Sequence, residues 1–366
     1  MSAVVNAIFR ENYTALFALI FGVIGCSVAQ AAEFQSAKDK AGALHVYSNI
    51  VLASPVISIE KIESDWANIH SARYIQAKAR LGSQFYLKHG SKQVVSFGIE
   101  SRFDYLLHFD PQSAYFYQKL ENQNIQAGTY DLNIDINSVW SHGFFAQYFI
   151  PLSYFGQLHA FSMTAHILKP KKVQQGELLG SGQVNANESF TYGYQLDYLY
   201  DENRLTESLA NDVSGWGHSF DFIYEYNNEE GFSARVAMED VFYTYYWQSV
   251  NQDVGCLSRP IAATCFVKTV VHSAVQKLPY TVVASLTQRL NSNAAFRLNA
   301  TQWSRFKSLT LGGSWKEWGL EQDVLNDITQ LSYESDMVRL KLATDKVNLS
   351  QAKHWQLALD IVWPIL

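Results

Sequence analysis

The sequence predicts an all-β fold: a transmembrane antiparallel up-and-down β-barrel of about 14 strands, with 12 to 16 allowed. Three observations predict it. The N-terminus reads as an export signal, alternating apolar and polar residues recur in runs of about ten, and aromatic residues gather near the ends of those runs. Composition agrees. The 366 residues include 22 Phe, 21 Tyr and 9 Trp against 7 Pro and 4 Met, a balance that favours pleated, half-buried surfaces over helix interiors. With 48% apolar and 17% charged residues the chain is not of the disordered class. Its net charge of −6 leaves no basic groove that would repay phosphate binding by counterion release, so nucleic acid is not an expected partner.

The only long apolar run is Ala15 to Ala29, preceded by a stretch whose one basic side chain is Arg10. Fifteen residues fall short of the ~20 a helix needs to cross hydrocarbon, and Ala29-Gln30-Ala31 is a small-x-small cleavage site. The expected cut follows Ala31, making 1–31 a signal peptide and 32–366 a single barrel domain, since no Pro-rich, Gly/Ser-rich or like-charge stretch marks a linker. The competing reading is lipoprotein processing at Cys26, after Val23-Ile24-Gly25. Both send the chain out of the cytoplasm, and a barrel places it in the bacterial outer membrane with lipid around it.

Along residues 32–366 the alternation is sharpest in one hairpin. Phe220, Phe222, Tyr224 and Tyr226 interleave with Ser219, Asp221, Ile223 and Glu225; Asn227 to Gly231 turns the chain; Phe232, Ala234, Val236 and Met238 then interleave with Ser233, Arg235, Ala237 and Glu239. Tyr130, Leu132, Ile134 and Ile136 alternate with Asp131, Asn133 and Asp135, and Trp355, Leu357, Leu359, Ile361 and Trp363 with Gln356, Ala358 and Asp360. Strands are expected near 44–52, 73–88, 92–105, 129–140, 144–150, 157–168, 189–200, 214–226 and 231–247, then 265–273, 279–289, 294–303, 307–315, 328–334, 337–344 and 355–363. One or two of these are surplus to a barrel of 14. The long polar connections are expected at 106–128, 169–188, 201–213, 248–264 and 316–327.

Alternation alone fits a soluble β-sandwich as well as a barrel, because only the direction of the apolar face differs. The export signal, the run lengths and the girdle aromatics (Tyr243, Tyr245, Tyr246 and Trp247 at one strand end, Trp315 and Trp318 at another) favour the barrel. With both termini periplasmic, the Asn227–Gly231 turn is periplasmic and 248–264 lies outside. Cys256 and Cys265, nine apart, suit a disulfide closing that exposed loop in an oxidising compartment, the alternative being two free thiols. Their spacing is wider than a zinc knuckle uses.

No motif points to chemistry. There is no phosphate loop, Gly215-Trp216-Gly217 lacks the third glycine of a dinucleotide site, and Gly180-Ser181-Gly182 lacks the frame of a nucleophile elbow. His159 and His166 are seven apart on an expected strand and so project to opposite faces. No catalytic residue, cofactor or metal is expected, and the chain is read as a non-enzyme. What remains is the polar face. Alternation assigns Glu100, Arg102, Asp104, Asp131, Asp135, Asp197, Asp221, Glu225, Arg235, Glu239, Arg297, Arg339, Lys341 and Asp360 to the lumen, nine acidic and five basic. They either border a solute path and set its charge preference or pair across the interior and stabilise the barrel.

The hairpin pattern Ser-Phe-Asp-Phe-Ile-Tyr-Glu-Tyr, turn, Gly-Phe-Ser-Ala-Arg-Val-Ala-Met-Glu-Asp-Val-Phe, within Gly217 to Trp247, and Leu342-Ala343-Thr344-Asp345 before the last strand, resemble the late hairpins of fatty-acid-transporter-like outer-membrane barrels. The resemblance implies a roughly 14-stranded barrel that takes up apolar molecules and carries an N-terminal plug. It transfers no ligand-binding residue. Three functions compete: a porin-like passive channel or transporter for small molecules; a non-conducting structural or assembly partner of envelope proteins, as in a surface-export or appendage system; and a membrane-embedded hydrolase whose site is scattered along the chain.

Overall fold

The period-two pattern becomes a continuous antiparallel sheet in the computed structural model, which describes residues 42–55, 58, 74–89, 93–113, 115–116, 126–154, 157–185, 189–202, 212–228, 230–259 and 265–364. The expected signal peptide, its cleavage site and Cys26 lie outside the described residues. Sixteen strands follow in order: β1 Ala43–Ala53, β2 Tyr74–His89, β3 Gln93–Phe109, β4 Gly128–Tyr154, β5 Gln157–Val184, β6 Phe190–Tyr200, β7 Ser214–Asn227, β8 Phe232–Arg259, β9 Val267–Lys277, β10 Thr281–Arg289, β11 Ala294–Trp303, β12 Phe306–Trp315, β13 Trp318–Asp323, β14 Ile328–Glu334, β15 Val338–Thr344 and β16 His354–Pro364.

Fourteen of them close a ring, and β6 and β9 stand outside it. Closure is made by β16 against β1, from Ala43↔Pro364 to Ala53↔His354. The start of β1 and the end of β16 therefore share one rim, the periplasmic one in a barrel whose termini face the periplasm. The adjoining ends of β7 and β8, Asn227 and Phe232, lie on that rim, where the turn between them is expected.

Above the ring the wall continues as a second tier, because β4, β5 and β8 are 27, 28 and 28 residues long. In the lower tier β5 pairs β7 through Leu158–Leu168 and β8 pairs β10 through Phe232–Glu239. Higher up β5 pairs β6 from Gln174 to Val184, β6 pairs β8 from Asn251 to Arg259, and β8 pairs β9 from Thr244 to Gly255. The chain thus descends twice by interrupted routes, β6 then β7 and β9 then β10, beside two unbroken staves. Tyr192 and Tyr194 stack on β6, centroids 4.9 Å apart; burial, with Tyr192 beside it, pushes the Tyr194 phenol up and keeps it a hydrogen-bond donor.

In the ring the apolar rows face outward. Phe97, Ile99, Phe144, Ile167 and Leu320 are 52%, 55%, 71%, 66% and 60% exposed, while Ser96, Glu100, Arg102, His166 and Glu321 on the other face are buried. A sandwich would show the reverse. On β5 the outward row from His159 to Ile167 spans nine residues, which at ~3.3 Å per residue and ~45° tilt covers about 20 Å of the ~25 Å apolar band. Met163 sits at its midpoint. Met163→Arg is expected to lower stability by about 2–4 kcal/mol, read as the urea midpoint of refolding into lipid vesicles, whereas a protein with those rows packed inside would fail to fold at all.

Several boundaries differ from expectation. The segments 129–140 and 144–150 are one strand, β4, with a bulge between Trp140 and Ser141; Ser141-His142-Gly143 imitates a turn. The connections expected at 169–188 and 248–264 are largely strand, since β5 reaches Val184 and β8 reaches Arg259. Within 316–327 lies a missed strand, β13, whose Trp318 and Leu320 face out and whose Glu321 and Asp323 face in; it is too short and polar to signal itself. The split strand and the missed one offset each other in the count.

Cys256 and Cys265 are bonded, tying the top of β8 to the start of β9 across a connection shorter than the one expected. A closed loop of about ten residues contributes roughly 3 kcal/mol by the chain-entropy account. Since β9 is outside the ring, reduction or Cys265→Ser is expected to speed limited proteolysis between residues 250 and 277 while leaving the unheated electrophoretic mobility of the barrel unchanged.

Candidate functional site

The lumen is shaped by β8. Between Met238 and Val241 it sets three residue steps against two of β7, and does so again between Val241 and Thr244, so each place carries one extra residue. Asp240 (φ 61°) and Phe242 (φ 57°) absorb the two bulges in the left-handed region, easy for Asp and uncommon for Phe. The first bulge turns Glu239 and Asp240 inward together. The second restores parity, so that Phe242 points out, 71% exposed, and Tyr243, Tyr245 and Trp247 point in.

Asp240 is the hub of a buried charge cluster. Its carboxylate accepts from Lys78 Nζ at 2.7 Å and from Arg102 Nη1 at 2.7 Å, and forms an ion pair with the Arg80 guanidinium. Its backbone N–H donates to Asp221 Oδ1 at 2.7 Å. His166 sits between two carboxylates, Nδ1 2.8 Å from Glu100 Oε1 and Nε2 3.0 Å from Asp221 Oδ2. Arg102 Nε is 2.9 Å from Glu100 and its Nη1 donates to Ser219 Oγ at 2.9 Å. Glu239 is 4.0 Å from Lys78. These bonds reach from β2 and β3 to β7 and β8 across the interior, and an unpaired charge at this depth would be strongly disfavoured.

An aromatic layer lies on the outer side of that cluster. Tyr243 donates to Asp104 Oδ2 at 2.9 Å, the Tyr243 and Tyr245 hydroxyls are 2.9 Å apart, and Tyr245 lies 2.7 Å from Ser141 Oγ. Trp247 Nε1 donates to Gln276 at 3.2 Å, and Gln276 donates to Asn137 at 2.8 Å. Tyr243, Tyr245 and Trp247 are therefore not girdle residues as expected: they pack inward with Val139, Leu168 and Val250. Of that group only Tyr246 faces out, stacked on Trp216 with centroids 4.9 Å apart. Trp315 and Trp318, 60% and 52% exposed, do edge the periplasmic rim.

Below the cluster, Gly82 and Gly98 make room for rings. A Cβ on Gly82 would come within 2.6 Å of the Tyr47 ring, and one on Gly98 within 2.2 Å of Phe145. A polar band follows at the periplasmic end. His45 is bonded to Asp360, Arg339 lies 3.7 Å from Asp360 and 3.4 Å from Glu334, and Arg297 lies 3.3 Å from Glu334 and 3.9 Å from Glu321. Glu225 and Arg235 pair across β7 and β8 at 3.1 Å.

The β2–β8 arc is thus bonded across itself, and between it and the β10–β16 arc the lumen holds a cavity of about 260 Å³ that both arcs line. Tyr47, Lys78, Arg80, Trp303, Phe306 and Lys341 are among its lining residues. Lys341 makes no ion pair among the described residues.

Of the fourteen lumen candidates, Glu100, Arg102, Asp104, Asp221 and Glu239 meet in or beside the cluster, Glu225 with Arg235 form their own pair, and Arg297, Arg339 and Asp360 join the periplasmic band. Lys341 stands on the cavity. Asp131, Asp135 and Asp197 lie on the upper tier instead, exposed or half-exposed at the mouth; Asp135 contacts His108 at 3.2 Å and Asp197 accepts from Gln252 at 2.5 Å. Sequence reasoning missed Lys78 and Arg80, whose neighbours Ala77 and Ala79, buried in a cluster with Ile75, Phe103 and Tyr105, are too small to announce an apolar row, and Asp240, which sits where the bulge breaks the period. His166 was placed on the face opposite His159 but not joined to the carboxylates.

No family profile matches the chain, and no curated relative matches it. Among solved structures the chain is similar to a deltaS2S3 mutant of TodX, a monoaromatic hydrocarbon channel (TM-score 0.41, 12% identity, covering 93% of this chain and 96% of that one). It is also similar to the Pseudomonas putida toluene transporter TodX (0.37, 8%, 93% and 95%) and the Ralstonia pickettii toluene transporter TbuX (0.35, 8%, 92% and 94%). These are fatty-acid-transporter-like outer-membrane barrels, the group that the late hairpin resembles.

Proposed function

We propose that the protein is a passive channel or transporter for small molecules in the bacterial outer membrane, and not an enzyme. The observation that carries this is the lumen: a closed ring with apolar rows outside, one arc sealed by cross-lumen bonds, and a cavity left between that arc and the β10–β16 wall. The cavity, about 260 Å³, exceeds the ~150 Å³ that accommodates a benzene ring, so a solute of about a dozen non-hydrogen atoms fits. Trp303 and Phe306 offer it apolar surface and Lys341 a charge. In this reading the path runs between β10–β16, where the outer turns at 304–305 and 324–327 are short, and the charge cluster, whose paired residues border it on the other side. Planar-bilayer recordings and liposome swelling test it: discrete conductance or solute uptake is expected, and a folded barrel giving neither would defeat the proposal.

The sealed arc itself favours the second reading, a non-conducting partner of envelope proteins. Crosslinking in intact cells separates the two, since stable envelope partners together with electrically silent bilayers fit only the second.

A further inference from the structure

On β5 the outward apolar row, in which Phe161, Met163 and Ile167 are 39%, 39% and 66% exposed, gives way abruptly to Lys169-Pro170-Lys171-Lys172. The change falls at the outer border of the apolar band. Lys169 pairs with His142 of β4 and Lys172 with Trp140, and Lys169 follows Leu168, whose β7 partner Gly217 adjoins Trp216. Trp216, stacked on Tyr246, and Trp140 place indole and phenol rings at the same level, where aromatic side chains hold a membrane interface. Lys169 and Lys171 are exposed and Lys172 is half-buried. Among the described residues none of the three makes an ion pair. Among the described residues the gap between the β7 and β6 ladders also leaves 169–172 with no strand partner on that side.

We infer that this segment is a docking site for the headgroup of an outer-leaflet lipid carrying two or more phosphates. Three ammonium groups within four residues, without an ion pair among the described residues and in a chain of net charge −6, supply local charge complementarity to an anionic headgroup. Each lysine close to an anionic lipid surface contributes favourably, and the contribution decays within about a Debye length, so the lysines must stand at the headgroup level to matter. The end of the apolar row puts them there. The exposed Ile167 and Phe144 below them offer acyl contact to the same lipid, and Trp140 and Trp216 flank its sugar or glycerol moiety.

The test uses the full chain folded in neutral detergent. Binding is followed by native mass spectrometry and by the shift of the unfolding midpoint on titration with bisphosphorylated lipid A, the same lipid dephosphorylated, and inorganic phosphate. The expected result is retention of bisphosphorylated lipid A with an upward midpoint shift, neither being produced by the dephosphorylated lipid or by phosphate alone. In the triple variant Lys169→Gln, Lys171→Gln, Lys172→Gln the apparent affinity is expected to fall at least about tenfold, while the triple Lys→Arg variant retains it. Unchanged affinity in the glutamine variant, equal binding of the dephosphorylated lipid, or an equal shift with phosphate alone would each overturn the assignment. Unheated gel mobility shows whether each variant is folded; should the glutamine variant fail to fold, the arginine variant and the two control ligands still decide.

Discussion

Replacing Asp240 with asparagine is expected to lower stability by about 3–5 kcal/mol, the scale for removing one partner from a buried ion cluster. The substitution keeps the side chain's size and its tolerance of the left-handed backbone at φ 61°, so the loss reports charge and not strain. It leaves Lys78, Arg80 and Arg102, all buried, facing one another with Asp221, Glu100, Asp104 and the more distant Glu239 to balance them. Urea unfolding in micelles, followed by tryptophan fluorescence, measures it. Adding Arg80→Gln to Asp240→Asn restores the charge balance and is expected to recover part of the loss, as a coupling energy of opposite sign in a double-mutant cycle. An unchanged midpoint in Asp240→Asn would show that water in the lumen already screens the cluster.

Reversing the charge at Lys341 is expected to move ion selectivity toward cations. If a permeating ion passes within about 5 Å of this side chain, a change of two unit charges at water's dielectric alters its energy by about 1.7 kcal/mol, roughly tenfold in relative permeability before screening. The measurement is the zero-current potential across a bilayer with a salt gradient, compared between the natural protein and Lys341→Glu. Lys277→Gln, exposed at the end of β9 outside the ring, serves as the control and is expected to leave that potential where it was. An unchanged potential in Lys341→Glu would take the path away from this side chain.

What the sequence makes legible follows from what each strand touches. Where one face meets lipid and the other water, as on β7 and β16, alternation is strong and the segments emerge with ends close to those observed. Above the membrane both faces meet water or protein, so the upper halves of β5 and β8 lose the pattern and look like loops. β13 hides for a related reason: six residues carrying Gly319, Glu321 and Asp323 show too few apolar positions for a period. The barrel was therefore readable but its second tier was not. Individual polar positions followed from local parity, yet the cluster depends on β2 meeting β8 across the interior, and one-dimensional spacing holds no trace of that meeting. The inward turn of Tyr243, Tyr245 and Trp247 was within reach, because they keep the parity of Arg235 and Glu239; position near a strand end was the misleading cue.

The paired bulges in β8 give the protein a particular vulnerability to length changes. Since two inserted residues cancel in phase, removing either one leaves the stave out of step from that point to its top. Tyr246 would then swing toward water inside the pore, and Tyr243, Tyr245 and Trp247 would be thrust against acyl tails with their hydroxyl and indole groups unanswered. A single-codon deletion at 240 to 242 thus inverts the whole upper stave, which a point substitution at the same place does not.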